Sequence, residues 1–510
     1  MKRIGLVIPP SPFLLDERVF LHLGILKVAA VLEGKGIVVD VLDLSGVRNY
    51  LDVVEDYSSL HKDVSMVGIT ATTPQIPFAA NIGRLLRDLK VKTVLGGPHG
   101  TLMNTASKRE KARGLRGRAV VGVDQLKSIF DVIVCGDGEL AIFEAMEVER
   151  GIVDADDRKS YLFLSDNDTE ELPFPARHLV NLDSYKYYIE GERATSLISQ
   201  LGCPFKCAFC SGRNSPFLRN IRTRSIDSVV AELEHMYLKY GYKGFMFYDD
   251  ELNVNPQVVA LMQAVTKLQR KYRERFMLRG FVKAELFNKD QAESMYEAGF
   301  RWLLTGFESG DPKILKVIEK GATLEDNTAC VDTARKSGLK VKALMSIGHA
   351  GENDDSLVNT KNWLLSVKPD DFDCTVITTY PGAPYFDDAV LNGDCYTYTD
   401  KKTGARLHQK DLNYLVDQDY YKGDPVSGYV SYVWTDHLSA SQLVMGRDQI
   451  EREVRGALGI PFNTARPGVV YERSMGMGNI PDAMLRSSGR IQWEKIGRAL
   501  RETQVPRSTI

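Results

Sequence analysis

The chain is expected to fold as two α/β units in series. A Rossmann-like (flavodoxin-like) sheet covers residues 1–150, a connector 151–193 and a partial (β/α)6 barrel of the TIM type 194–400; a small, mainly helical C-terminal domain follows over 401–510. Three observations carry this. Short β-branched runs alternate with amphipathic helical segments in the first unit; the alternation stops at a proline-rich stretch; it then resumes for six more strand–helix repeats. Such alternation predicts a parallel sheet with helices on its faces, and six repeats are too few for an eight-stranded barrel.

The strands of the first unit are placed at Arg3–Pro9, Val38–Leu44, Val64–Ala71, Thr93–Gly96 and Asp131–Cys135, with helical spacing over Leu21–Glu33 and Pro77–Leu89. Ligands of such sheets bind at the carboxyl ends of the strands, and small residues collect there: Thr72, Thr73, Pro74 and Gln75 after the third strand, Gly96-Gly97-Pro98-His99 after the fourth, and Gly136-Asp137-Gly138-Glu139 after the fifth. Three loops at one edge through which a backbone can be closely approached suit a large, flat ligand. In the connector, Pro173 and Pro175 at alternate positions forbid a helix. The barrel strands are placed at Ser196–Gln200, Gly244–Tyr248, Met277–Val282, Trp302–Phe307, Val341–Ile347 and Cys374–Thr379. Helices at Ile226–Tyr240, Pro256–Arg273, Lys289–Ala298, Thr323–Ser337 and Asp355–Val367 separate them. Beyond the barrel, Tyr414, Tyr420, Tyr421, Tyr429 and Tyr432 gather around Trp434, either as a small core or as a stacking surface for a flat substrate. A Ser-x-x-Gln capping pattern then opens a helix over Ser439–Leu458.

Cys203, Cys207 and Cys210 form a C-x3-C-x2-C array within LGCPFKCAFCSG, directly after the first barrel strand. Three thiolates at this spacing can hold three irons of a 4Fe–4S cubane and leave the fourth without a protein ligand. A zinc site would require a second Cys/His pair at a distance, and none follows. Cys330 and Cys374 fall in helix and strand patterns and read as core residues; Cys395 lies in a loop and has no assigned role.

This array, with Phe209 before its last cysteine, resembles that of the radical S-adenosylmethionine (SAM) superfamily. The resemblance implies that SAM binds the open iron and is cleaved reductively to a 5′-deoxyadenosyl radical, with electrons from a flavodoxin- or ferredoxin-type donor. It places Asp249 and Asp250, in Tyr248-Asp249-Asp250-Glu251, near the SAM ammonium group. Glu308 and Ser309 of GFESG and Gly348 of GHAGE join them as SAM residues; Ala350 replaces the family's proline, and Pro381-Gly382-Ala383-Pro384 matches another family turn. For Asp249 and Asp250, helix capping is the alternative; for Lys283 and Glu285, SAM contact and ordinary loop solvation are both open. The GGPH and GDGE runs resemble those of the cobalamin-dependent branch of that superfamily, with Asp137 in place of its usual glutamate. That implies cobalamin held by Thr72, Thr73, Pro74, Gln75, Gly96, Gly97, His99, Gly136, Gly138 and Glu139. The Asp-x-His-x-x-Gly motif of B12 mutases is absent, so no histidine ligand to cobalt is implied. A flavin-binding flavodoxin domain is the rival, but Pro9-Pro10-Ser11-Pro12 after the first strand is no phosphate loop. The implied activity is methyl transfer from methylcobalamin to an unactivated carbon, or phosphorus, of a small molecule. Ring rearrangement, oxidative cyclisation and a cobalamin-binding carrier or regulatory role are the alternatives.

Composition excludes other classes. Net charge is −2 over 510 residues, which gives no field to attract nucleic acid or an anionic membrane. No apolar stretch approaches the roughly 18–20 residues of a membrane span, and Asp16 and Glu17 interrupt the only signal-like run. Seven cysteines, an odd number, indicate reduced thiols and a cytoplasmic setting. The basic run Lys108, Arg109, Lys111, Arg113, Arg116 and Arg118 reads as a solvated face, with binding of a cofactor phosphate or substrate anion as the alternative.

Overall fold

Six parallel strands open the chain: β1 (Arg3–Ile8), β2 (Val38–Asp43), β3 (Val64–Thr70), β4 (Lys92–Gly96), β5 (Val132–Gly136) and β6 (Gly151–Ala155), in spatial order 2-1-3-4-5-6. In this computed structural model residues 3–14, 17–418, 420 and 429–460 are described. The order reverses between β1 and β3, and the crevice beyond their carboxyl ends is where a ligand of such a sheet lies. The central strands are apolar on both faces, as burial under two helix layers demands. β6 lies within the stretch expected to be connector. Its single turn of β-branched sequence, GIVDA, pairs along β5 from Val132 to Gly136, so the connector proper starts at Asp156.

The second sheet begins with a short antiparallel hairpin, β7 (Tyr188–Ile189) and β8 (Glu192–Leu197). A two-residue antiparallel pair follows, β9 (Gln200–Leu201) with β10 (Arg222–Thr223). The sheet continues through β11 (Gly244–Phe247), β12 (Met277–Phe281), β13 (Phe300–Glu308), β14 (Lys340–Ile347) and β15 (Asp371–Val376), in order 15-14-13-12-11-8-7. β8, β11, β12, β13, β14 and β15 are parallel neighbours and form a partial barrel. β8 begins at Glu192 rather than Ser196, because it pairs with β7 there, and ends at Leu197 rather than Gln200, because Ser199 and Gln200 turn to Asp249. The helices are bounded by local chemistry. Ile226–Tyr240 starts where Ser225 accepts the N–H of Ser228 and stops at left-handed Gly241; Val229, Leu233 and Met236 bury its inner face.

The C-terminal part differs from expectation. Among the described residues it is an antiparallel four-stranded sheet, β16 (Val390–Asn392), β17 (Cys395–Thr399), β18 (Arg406–Lys410) and β19 (Val433–Thr435), followed by one helix, Ala440–Leu458. Tyr414 and Tyr420 pack with Phe386 into the core of the first domain, and Tyr429 packs into the barrel core; Tyr421 and residues 461–510 lie outside the described residues. This region seals the barrel's open edge. Along β15, Cys374 donates its N–H to Glu451 Oε1 (2.7 Å) and its carbonyl accepts from Arg447 Nε (3.1 Å), while Tyr429 OH bridges the N–H and carbonyl of Val376 (2.8 and 3.2 Å). Side chains thus satisfy the backbone groups that an edge strand leaves open. Glu451 also holds buried Arg455 at 2.6 Å, so Glu451→Ala should destabilise the fold by about 3–5 kcal/mol, read as a lowered denaturant midpoint. An unchanged midpoint would show that the edge is sealed otherwise.

Candidate active site

The cysteine loop leaves β9 through Gly202, whose φ of +88° and whose approach to Asn220 (a β-carbon would lie 2.1 Å from its carbonyl oxygen) admit only glycine. The loop is then pinned from three sides. Cys203 N–H donates to Leu218 O (2.9 Å), Ala208 N–H to Ile318 O (2.8 Å) and Cys210 N–H to Cys207 O (3.1 Å). Arg219 donates to the Phe205 carbonyl at 3.0 Å, and Arg213 reaches that of Lys206. The three thiols are free and close enough to perturb one another. Burial pushes Cys203 up to about 12 and raises Cys207. Two buried lysines stand beside Cys207. Lys283 ion-pairs with Glu285 (2.7 Å) and lies 4.4 Å from the Phe205 ring centroid. Lys320 pairs with Glu308 (3.2 Å); burial works against its charge, but Glu308, Cys207 and Glu251 outweigh that and hold its pKa high.

The two strand-end aspartates have opposite fates. Asp249 is buried, and its carboxylate accepts the Ser199 N–H (2.7 Å), the Ser199 hydroxyl and the Gln200 N–H (3.3 Å). It therefore fixes the entry to the cysteine loop, and it does not line the cavity between the domains. Asp250 is exposed, has no hydrogen-bond or ion-pair partner among the described residues, and lies near enough to Cys203 and Cys210 to raise both thiols. Glu308 occupies a left-handed backbone (φ +65°) at an irregularity between β13 and β14, a conformation costing a non-glycine residue about 1 kcal/mol and typical of functional sites. Burial would raise its pKa, but Lys320 and a hydrogen bond from Ser346 Oγ (2.6 Å) prevail and keep it ionised. Ser346 also meets His349 Nε2 (2.8 Å), whose ring packs on Phe209 at 5.4 Å and whose Nδ1 faces Tyr385 OH (3.4 Å). Ser309 and Gly348 point into structure instead: Ser309 bonds Thr360, and the Gly348 N–H donates to Glu352 (3.2 Å).

A cavity of about 1090 Å³ joins the two domains. From the first domain it is lined by Thr72, Thr73, Pro74, Gln75, Gly96, Gly97, Gly136, Gly138 and Glu139; from the barrel by Phe209, Tyr248, Phe281, Glu308, Ser346 and Thr378, among others. Gly97 (φ +91°) lies so close to the backbone of Ala71 that no side chain fits, whereas a β-carbon at Gly96 would meet nothing within 4 Å. His99 is buried behind this wall, its Nδ1 at 3.1 Å from Thr73 Oγ1, and does not line the cavity. Burial lowers its pKa to about 3, so it is neutral. The basic run does not reach the cavity either. Arg109 and Arg113 bind Asp388 (3.5 and 2.6 Å) and Arg118 lies between the rings of Phe386 and Tyr396 (3.6 and 3.9 Å), clamping the first domain to the segment after the barrel. Cys330 and Cys374 are core residues, and Cys395 donates its thiol to Asn392 O.

Residues 197–364 match the radical SAM superfamily and residues 19–127 the B12 binding domain. The chain is a cobalamin-dependent radical SAM enzyme. An uncharacterized methyltransferase of Pyrococcus horikoshii is 27% identical over 65% of this chain and 70% of its own length. An anaerobic magnesium-protoporphyrin IX monomethyl ester cyclase of Cereibacter sphaeroides is 22% identical over 69% of this chain and 58% of its own. The radical SAM methyltransferase TsrM of Kitasatospora setae, solved with cobalamin and a 4Fe–4S cluster bound, shares the fold with a TM-score of 0.62 at 17% identity, over 98% of this chain and 99% of that one.

The cofactors of this enzyme are a 4Fe–4S cluster, SAM and cobalamin, and the residues present fit them. Three loop thiols, with two buried ammonium groups beside Cys207, suit thiolate ligands whose added negative charge those lysines offset. No three His, Cys, Asp or Glu side chains among the described residues are grouped to hold a single ion. Asp250 and Glu308 supply carboxylates near the cysteine loop, and the glycine-edged cavity supplies the corrinoid's room. Lys320 and Ser346, which fix Glu308, carry no sequence signal of their own. Among the described residues no helix is long and apolar enough to cross a membrane.

Proposed function

We propose that this enzyme transfers a methyl group from methylcobalamin to an unactivated carbon, or phosphorus, of a small molecule. One observation carries the reading: the cysteine-loop residue Phe209, the ionised Glu308 and the glycine loops of the B12-binding domain line a single cavity. When bound, the cluster and SAM supply a 5′-deoxyadenosyl radical and the corrinoid supplies the methyl group. The chain's own part is to hold these groups at one cavity and to exclude side reactions. Asp250 and Glu308 would receive SAM, with Glu308 held ionised and oriented by Lys320 and Ser346. The Thr72–Gln75 turn would lie under the corrin, its shape fixed where Gln75 accepts from Thr72 N–H (3.0 Å) and donates to Pro9 O (3.1 Å). A flavodoxin- or ferredoxin-type protein would deliver the electrons, in the cytoplasm.

The cyclase relative supports a second reading, oxidative cyclisation with the same cofactors. Anaerobic incubation of the full chain with SAM, a low-potential reductant and hydroxocobalamin separates the two. A methyltransferase should form S-adenosylhomocysteine up to one equivalent per bound corrinoid before any substrate is supplied. Formation of 5′-deoxyadenosine with no S-adenosylhomocysteine would overturn methyl transfer in favour of cyclisation, and neither product would indicate a carrier.

A further inference from the structure

Helix Leu23–Glu33 packs against helix Gly138–Glu147 beside the first sheet. Gly24, Val28 and Ile142 of these helices, with Leu172 and Pro175 of the connector, form an apolar part of the cavity wall. The wall is open at Gly24, where a β-carbon would meet nothing within 4 Å. One charged side chain is set into it without a partner. Lys27 lines the cavity, is half-buried, and makes no hydrogen bond or ion pair among the described residues. Withdrawing an ammonium group from water without pairing it is costly, and burial lowers the pKa of Lys27 accordingly.

Its charged neighbours leave the group with one positive charge in excess. These are Arg224, Glu232, Glu139 and Arg177. Both arginines grip Glu232, at 2.7 Å from Arg177 and 2.5 Å from Arg224. Glu139 lies in the first turn of its helix, supported by backbone N–H groups, and of the cations acting on it Lys27 is stronger than Arg222. Three cations thus face two carboxylates, and among the described residues Lys27 is the one of the three that no hydrogen bond or ion pair fixes in place. An apolar wall beside one positive charge in excess matches a ligand that is apolar at its end and carries a single negative charge beside it. Cobalamin has such a part, the benzimidazole nucleotide joined to the corrin ring through a phosphodiester.

We infer that Lys27 binds the phosphodiester of the cobalamin nucleotide tail. This rests on the cobalamin reading and adds to it a residue that lies outside the glycine loops. The test uses full-length Lys27→Met and Lys27→Arg proteins, titrated anaerobically with hydroxocobalamin and with dicyanocobinamide, which has the corrin ring but no nucleotide phosphate. Binding is read from the corrinoid absorbance of the retained fraction. Loss of one charge-assisted hydrogen bond should weaken cobalamin binding by Lys27→Met ~10-fold or more. Cobinamide binding should be unchanged, and Lys27→Arg should retain cobalamin. An equal loss for both corrinoids would assign Lys27 to the fold, and unchanged cobalamin binding would assign it to another anion; either result overturns the inference. If the unsubstituted protein binds neither corrinoid, the cobalamin reading fails and the inference falls with it.

Discussion

Replacing Cys203, Cys207 and Cys210 together with Ala should leave a folded protein that takes up cobalamin, contains no iron or sulfide, and forms no 5′-deoxyadenosine from SAM. The three effects separate because the loop is built by backbone hydrogen bonds and by Arg213 and Arg219, none of which uses a thiol. The cobalamin loops lie on the other domain and meet it through the shared cavity and the Arg222–Asp137 ion pair, neither of which uses a thiol. Loading should also depend on pH in a stated direction. In the metal-free protein burial holds Cys203 near 12 and raises Cys207, so thiols must lose protons when they take iron, and loading strengthens as pH rises. Iron and sulfide analysis, corrinoid absorbance and product chromatography check the three parts. Retained SAM cleavage in the triple variant would remove the cluster from these residues.

The cysteine loop was legible because spacing alone encodes it, and the parallel strands because burial on both faces leaves uninterrupted apolar runs such as GFMF in β11. Other features depend on partners far along the chain. Arg109 and Arg113 look like a solvated or anion-binding face until Asp388 is brought to them. Asp249 and Asp250 are adjacent and chemically identical, yet successive residues at a strand end face opposite sides. One is consumed by Ser199 and Gln200 and the other is left open, and no local pattern says which. The C-terminal sheet was missed because its strands are only three to five residues long, with VLN fully exposed and RLHQK mostly polar. CYTYT and VWT have the aromatic and β-branched residues that strands favour, but runs this short become strands only by pairing with one another. His99 lies in a glycine-rich run that is otherwise at the cavity, but its ring turns inward to Thr73.

A large stability effect, coupled to function, is expected at Arg222 and Asp137, the ion pair that joins the two cofactor-bearing loops. Arg222 opens β10, directly after the cysteine loop, and Asp137 belongs to the loop after β5. They meet at 2.5 Å with both side chains at most 2% exposed. Burial pushes the Asp137 carboxyl up, and Arg222 pulls it back toward the ionised form. Asp137 accepts the Leu164 N–H as well (3.1 Å), while Arg222 donates to Phe217 O (3.0 Å) and lies over the Phe163 and Phe217 rings. Removing either partner strands a buried charge. Arg222→Met or Asp137→Leu alone should therefore cost about 3–5 kcal/mol, whereas the double variant should recover most of that, because two apolar groups can replace a buried pair at little net loss. Denaturant midpoints of the four proteins test the coupling, and single variants as stable as the parent would refute it. Function should not recover with stability. The pair sets the spacing between the cysteine loop and the cobalamin loops, and a misplacement of ~1 Å can cost ~100-fold in rate. The double variant should thus bind cobalamin and cleave SAM separately, yet form S-adenosylhomocysteine at least ~10-fold more slowly than the parent. Full recovery of that rate would show that the two loops find their spacing without this ion pair.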